Sequence, residues 1–81
     1  MDKESIMERL EMVFRDVFAD DTIVLSEETN ASSIEGWDSL MHISILAAVQ
    51  DEFQIDFDMD EIISMKNVGD MLQAILKKTE E

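Results

Sequence analysis

Apolar residues recur every three or four positions along several segments of the chain, and this spacing constrains the fold more than any other sequence feature. In the first segment the apolar residues are separated by charged ones, which predicts an amphipathic helix from Lys3 to Phe18. The chain contains no Pro and only two Gly. We predict no strand in any segment. The sequence therefore predicts an all-α fold.

The periodicity disappears between Ala19 and Asp38, where polar residues dominate. The apolar residues that remain in this segment are predicted to anchor it to the core: Ile23, Leu25, Ile34 and Trp37. Connections of this length without helices or strands are uncommon in compact domains and are often functional. We therefore expect a functional site where this long first loop ends.

A second helix is predicted from Ser39 to Phe53, with Asp38 as its N-cap. Its core-facing residues are predicted to be Leu40, Ile43, Leu46, Ala47 and Phe53. The opposite side is also apolar and comprises Met41, Ile45, Ala48 and Val49. A solvated helix face is rarely so apolar, so we expect a partner to cover this side at times.

Two further helices are predicted in the last third of the chain. Asp58 and Glu61 form a capping-box pattern that predicts a short helix as far as Met65. Asn67 is predicted to cap the last helix, which ends near Lys77–Lys78 because cations are favourable at the negative end of a helix. The predicted architecture is a small bundle of three main helices plus one short helix, with a long first loop and a single domain spanning residues 1–81.

The charge balance restricts the possible partners. The chain has 20 Asp and Glu against 6 Lys and Arg, a net charge of -14. Such a surface repels nucleic acid and anionic membranes and attracts proteins with basic patches. The start of the chain lacks the pattern of a signal peptide, and no apolar run approaches the length of a membrane span. These features predict a cytoplasmic protein without nucleic-acid or membrane partners.

Ser39 is the most distinctive candidate for modification. It follows Gly36 and Asp38 at the predicted start of the second helix, which exposes its hydroxyl. The helix N-terminus favours an attached anion such as a phosphate ester. This reasoning alone leaves open that Ser39 is an ordinary first residue of a helix.

Together with its surroundings, the sequence resembles the acyl carrier protein family over nearly its whole length. The resemblance rests on Asp38–Leu40 at the start of the second helix, Phe53 at its end, the acidic stretch Asp56–Glu61, and Asn67–Val68 at the start of the last helix. It implies a non-enzymatic carrier with 4′-phosphopantetheine on Ser39, transferred from coenzyme A by a phosphopantetheinyl transferase that uses Mg²⁺. Acyl or aminoacyl groups would then be held as thioesters on the thiol of that arm, in a chain that has no Cys.

The resemblance also implies roles for residues around Ser39. Asp38 would cap the helix and contribute to recognition by the transferase, and Leu40 would pack beside the attachment point. Trp37 and Met41 belong to the same recognition region. A cleft between the second and third helices that can shelter an acyl chain would be lined by Ile43, Leu46, Ala47, Ile62, Met65 and Val68.

The sequence departs from carriers of fatty-acid synthesis at three positions. Those carriers have acidic residues where this chain has Met41 and Ser44, and they often have a small residue at the position of Trp37. These differences indicate a specialised stand-alone carrier whose partners make a more apolar contact. Trp37 itself is interpreted first as a loop anchor that plugs the bundle, and second as a partner contact.

The expected partners are a phosphopantetheinyl transferase, an acyl-loading ligase or acyltransferase, and ketosynthase-like or other downstream enzymes. The pathway would be fatty-acid, polyketide or related secondary biosynthesis, and the carrier is expected to be monomeric. No catalytic and no metal-binding residue is predicted.

Three alternatives follow from the residues. An unmodified adaptor would bind a partner helix through Met41, Ile45, Ala48 and Val49. A hydrolase would use Asp38, Ser39 and His42, although His42 is interpreted more simply as a surface residue. A calcium loop starting at Asp56 fails, since its sixth position lacks the required Gly and its twelfth lacks the required Glu.

Overall fold

Four helices follow one another along the chain in a computed structural model that describes residues 2–79. They are α1 (Lys3–Phe18), α2 (Ser39–Phe53), α3 (Met59–Ser64) and α4 (Val68–Thr79). The predicted all-α architecture, with three main helices and a short one, is confirmed. The ends of the predicted domain, Met1 and residues 80–81, lie outside the described residues. None of the described helices is long and apolar enough to cross a membrane.

Each helix begins as its sequence predicts. The Asp2 carboxylate accepts the Ser5 N–H at the start of α1. At α3 the Asp58 and Glu61 side chains each accept the other residue's backbone N–H, which completes a capping box. At α4 the Asn67 side chain accepts a backbone N–H from the first turn. These bonds satisfy N–H groups that have no partner inside the helix.

The core is one cluster to which α1, α2, α4 and the connecting segments contribute. Its residues are Ile6, Leu10, Val13, Phe14, Ile23, Leu25, Trp37, Ile45, Leu46, Val49, Phe53, Phe57, Met65, Val68, Met71, Leu72 and Ile75. The long first loop inserts three of them, so it is part of the core although it has no helix. α3 lies between two buried residues, Phe57 and Met65.

The predicted faces of α2 are only partly right: Leu46 and Phe53 are buried as expected, but other positions are reversed. Ile45 and Val49, expected on the outer side, are fully buried, whereas Leu40, Ile43 and Ala47, expected in the core, are exposed. The helix is apolar around most of its circumference, so two overlapping stripes fit a period of 3.6 residues equally well. Packing against the rest of the core decides between them. The proposed adaptor surface is therefore mostly inside the protein.

The middle of the long loop is attached to the start of α4 by backbone hydrogen bonds. Val68 N–H donates to the Thr29 carbonyl and Gly69 N–H to the Glu27 carbonyl, both at 2.8 Å. Asn30 and Asn67 form an isolated antiparallel bridge beside them. The loop carbonyls thus accept from the amide groups that open α4, which fixes the loop against the bundle.

Gly69→Ala tests this attachment. A Cβ at this position would lie 2.9 Å from the Glu27 carbonyl oxygen, so the loop or the helix must move. Gly→Ala within a helix normally stabilises by about 1 kcal/mol. Here we expect urea unfolding to show a loss of about 1–3 kcal/mol, as for other overpacked sites. Gln73→Ala, at an exposed position of α4, is the control, and a more stable Gly69→Ala protein would contradict the attachment.

Glu61 links stability to pH at the capping box. The hydrogen bond from the Asp58 backbone N–H, and next the Lys78 side chain, lower the pKa of Glu61 from its ordinary value of 4.5. A lowered folded-state pKa gives stability that is present above the unfolded-state pKa and is lost as pH falls through the folded-state pKa. We therefore expect Glu61→Gln to be less stable than the wild type at neutral pH, with the difference lost in acid, once Glu61 is protonated in the folded state as well. Urea unfolding at neutral and at acidic pH measures it, and a difference that persists in acid would contradict this linkage.

Candidate functional site

The site is built around the first turn of α2. Asp38 has an extended backbone and its carboxylate accepts the Met41 N–H at 2.8 Å, while its carbonyl accepts the His42 N–H at 2.8 Å. Ser39 is the first residue of the helix and is exposed to solvent. Its hydroxyl therefore lies at the positive end of the helix dipole, as the sequence predicts.

The segment before the helix is held by a buried indole. Gly36, directly before Trp37, has φ +91°. Residues other than Gly rarely adopt this backbone conformation. The Trp37 ring is 7% exposed and packs edge-on against Phe14 of α1, with ring centroids 5.2 Å apart. Trp37 therefore acts as a loop anchor, and little of its ring is open to a partner.

His42 was predicted to be a surface residue, and this prediction is wrong: the side chain is half-buried. Its Nδ1 accepts a hydrogen bond from the Trp37 indole N–H at 3.1 Å, and its Nε2 lies 3.0 Å from the carbonyl oxygen of Ile62 in α3. Both ring nitrogens are thus engaged away from Ser39. The hydrolase alternative has no general base in this arrangement, because neither nitrogen is directed at the serine hydroxyl.

A cleft of about 560 Å³ opens beside Ser39, between α2, α3 and the long loop. Its lining residues are Ala31, Trp37, Asp38, Ser39, His42, Ile43, Met59, Ile62, Ile63, Met65 and Lys66. Most of the side chains on the α3 side are aliphatic or Met. The cleft therefore offers an apolar wall that begins at the attachment candidate.

The structure brings together only part of the predicted cleft. Ile43, Ile62 and Met65 line it. Leu46 and Val68 instead lie fully inside the core, and Ala47 is exposed outside the cleft. Leu46 and Val68 both belong to the core cluster, which leaves neither side chain open to the cleft.

The predicted recognition residues surround Ser39 in different environments. Leu40 is 79% exposed, whereas Met41 is half-buried against the core. Asp38 is exposed and is engaged as the helix cap. Among these recognition residues, Leu40 therefore provides the exposed apolar surface next to the serine.

Sequence reasoning missed several residues of the cleft. Met59 and Ile63 are one helical turn apart on α3 and are 61% and 71% exposed, so their spacing was a usable signal. Lys66 and Ala31 carry no such signal, because they reach the cleft through the backbone attachment of the loop to α4. Within residues 2–79, no group of acidic, His or Cys side chains is arranged to hold a metal ion.

The residues around Ser39 fit a phosphate-linked arm. The hydroxyl is open to solvent, so a large substituent can be attached without displacing the core, and the helix N-terminus favours the negative charge of a phosphodiester. Such an arm would supply a thiol that holds acyl groups as thioesters. The chain itself contributes the position of the hydroxyl and the apolar wall beside it.

Comparison with known proteins agrees with this geometry. Residues 8–75 match the family model described as "Phosphopantetheine attachment site". The solution NMR structure of a holo acyl carrier protein from Geobacter metallireducens is similar, with a TM-score of 0.84 and 40% sequence identity over 90% of this chain and 84% of that chain. A search of curated proteins finds no match. The chain belongs to the phosphopantetheine-binding family and is a non-catalytic acyl carrier protein that bears 4′-phosphopantetheine.

Proposed function

We propose that Ser39 is the residue that bears the 4′-phosphopantetheine arm of this acyl carrier protein. The observation that carries the proposal is its position: an exposed hydroxyl at the first residue of α2, on the rim of the apolar cleft. Ser44, on the same helix, is also exposed but lies in the second turn and does not line the cleft. Position, and not exposure alone, therefore distinguishes Ser39.

The cleft beside Ser39 is proposed to shelter the acyl part of the cargo. Ile43, Ile62 and Met65 line it together with Met59 and Ile63. Transfer of hydrocarbon from water to such a wall is favourable by about 0.8 kcal/mol for each fully buried methylene. Because the cleft is open to solvent along Ile63 and Met59, burial here is partial, so the cargo remains available to enzymes.

Membership of the family implies a phosphopantetheinyl transferase and biosynthetic enzymes as partners. We propose that they include an acyl-loading ligase or acyltransferase and ketosynthase-like enzymes, which approach the mouth of the cleft. The net charge of -14 favours partners with basic surfaces and speeds their encounter at low salt. A monomeric, cytoplasmic carrier without nucleic-acid or membrane partners is part of the same proposal.

We further propose that the chain is a specialised carrier and not the main carrier of fatty-acid synthesis. Three of its exposed large apolar side chains line the cleft: Ile43, Met59 and Ile63. Leu40, which follows Ser39 directly in the sequence, is also exposed. Met41 and Ser44 leave the first half of α2 without a carboxylate beyond its cap. Partners that recognise α2 through Arg and Lys therefore lose ion pairs, and an apolar contact is favoured.

Intact-protein mass spectrometry tests the attachment site. The purified chain is incubated with coenzyme A, Mg²⁺ and a broad-specificity phosphopantetheinyl transferase. We expect the wild type to gain one phosphopantetheine group and Ser39→Ala to gain none, since only that hydroxyl opens the helix. Ser44→Ala is the matched control and should gain the group as the wild type does.

Both variants should remain folded, because the Asp38 cap does not use either serine side chain. Circular dichroism checks this. Loading of Ser39→Ala, or loss of loading in Ser44→Ala with an intact fold, would refute the assignment to Ser39.

Addition of a carboxylate on α2 tests the proposal that the chain is not the main carrier of fatty-acid synthesis. Ser44→Glu is suitable because residue 44 is exposed, whereas Met41 packs against the core and Met41→Asp would also cost burial. We expect Ser44→Glu to raise turnover by a malonyl transferase of fatty-acid synthesis several-fold at low salt, with the gain reduced at high salt. Ser44→Gln is the uncharged control. Equal turnover of Ser44→Glu and Ser44→Gln would show that charge on α2 does not select the partner.

A further inference from the structure

The short helix α3 is held to the bundle by few interactions. Of its six residues, all within the described part of the chain, none is fully buried. The buried Phe57 and Met65 hold the chain on either side of it. Burial alone therefore restrains α3 less than it restrains α1, α2 or α4, each of which contributes four fully or nearly fully buried residues.

Two polar interactions connect α3 to its neighbours. On one side, Glu61 pairs with Lys78 of α4 at 3.1 Å. On the other side, the Ile62 carbonyl oxygen lies 3.0 Å from Nε2 of His42 in α2. The first pair is partly exposed and is screened by salt. The second lies at the wall of the cleft, where His42 is half-buried.

The chemistry of the partners fixes the state of the His42 ring. An indole N–H can only donate, so Nδ1 must be the unprotonated nitrogen that accepts from Trp37. A carbonyl oxygen can only accept, so Nε2 must carry the proton and donate to Ile62. The ring is also stacked on Trp37, with centroids 5.9 Å apart and planes 19° apart. His42 therefore connects the buried Trp37 ring to α3.

We propose that His42, as the neutral tautomer with its proton on Nε2, is a positioning residue that holds α3 across the cleft and so sets how closely the cleft encloses cargo. Phe14, Trp37, His42 and Ile62 form a continuous series of contacts from α1 to α3. The consequence for cargo rests on the proposed function of the cleft. The position of α3 does not, and it can be measured in the unmodified protein.

NMR of the unmodified protein tests the positioning role first. In ¹⁵N spectra of the imidazole we expect a pyrrole-like Nε2 and a pyridine-like Nδ1, and a hydrogen-bonded indole N–H for Trp37. Removal of a neutral hydrogen bond of typical strength shifts an opening equilibrium by about fivefold. We therefore expect the amides of α3 to exchange about fivefold faster in His42→Phe than in the wild type.

Two conservative variants separate positioning from simple space filling. His42→Gln keeps a donor near the place of Nε2 and should restore the slow exchange of α3. His42→Asn keeps an acceptor near the place of Nδ1, so the Trp37 indole should stay bonded while α3 exchanges fast. Lys78→Met, which removes the partly exposed ion pair, is the control and should leave the Trp37 and His42 signals unchanged.

The opposite tautomer at His42, or equal α3 exchange in the wild type and in all three His42 variants, would overturn the proposal. So would a His42→Gln variant that behaves as His42→Asn does, since a packing role would not distinguish them.

The cargo consequence is measured with octanoyl groups loaded on the arm. We expect hydroxylamine to cleave the thioester about fivefold faster in His42→Phe and His42→Asn than in the wild type and His42→Gln. Equal cleavage rates alongside altered α3 exchange would show that α3 does not control access to cargo. If the wild type takes up no arm at all, the assignment of Ser39 fails, while the NMR result still decides the role of His42.

Discussion

The edge-on packing of Trp37 against Phe14 is the interaction on which the arrangement of the site depends. It ties the end of a long loop without helices to the first helix, and thereby determines where α2 begins. Asp38 can then cap the helix, and Ser39 lies at its first residue with an exposed side chain. The proposed attachment residue is thus positioned by a buried ring two residues before it, which compensates for the absence of regular structure in that loop.

Much of the fold could be predicted from local sequence, because helix ends are determined locally. The caps at Asp38, Asp58 and Asn67 each use a side chain that reaches a backbone N–H three residues further on, and all three are present in the structure. The orientation of α2 could not be predicted in the same way. Its residues from Leu40 to Val49 are apolar on most sides, so which stripe is buried depends on contacts with distant parts of the chain.

The site shows the same division between local and long-range information. Ser39 and Asp38 are neighbours in sequence, so their arrangement follows from the start of one helix. The cleft is assembled from four separate segments, and its wall includes Ala31 and Lys66, which no helical spacing identifies. The two hydrogen bonds of His42 could not be predicted from the sequence either. Its partners Trp37 and Ile62 are 5 and 20 residues away, and Ile62 contributes only its backbone carbonyl.

Because the long loop is attached to α4, the wall of the cleft and the surface next to Ser39 are formed in part by different segments of the chain. Ala31 lines the cleft from the long loop, next to the bridge between Asn30 and Asn67, whereas Ser39 and Ile43 line it from α2. With the cleft sheltering cargo as proposed, substitutions in the loop would change the length or shape of cargo that fits without altering the surface next to Ser39. Cargo range and enzyme recognition would then diverge independently during evolution, within one small bundle.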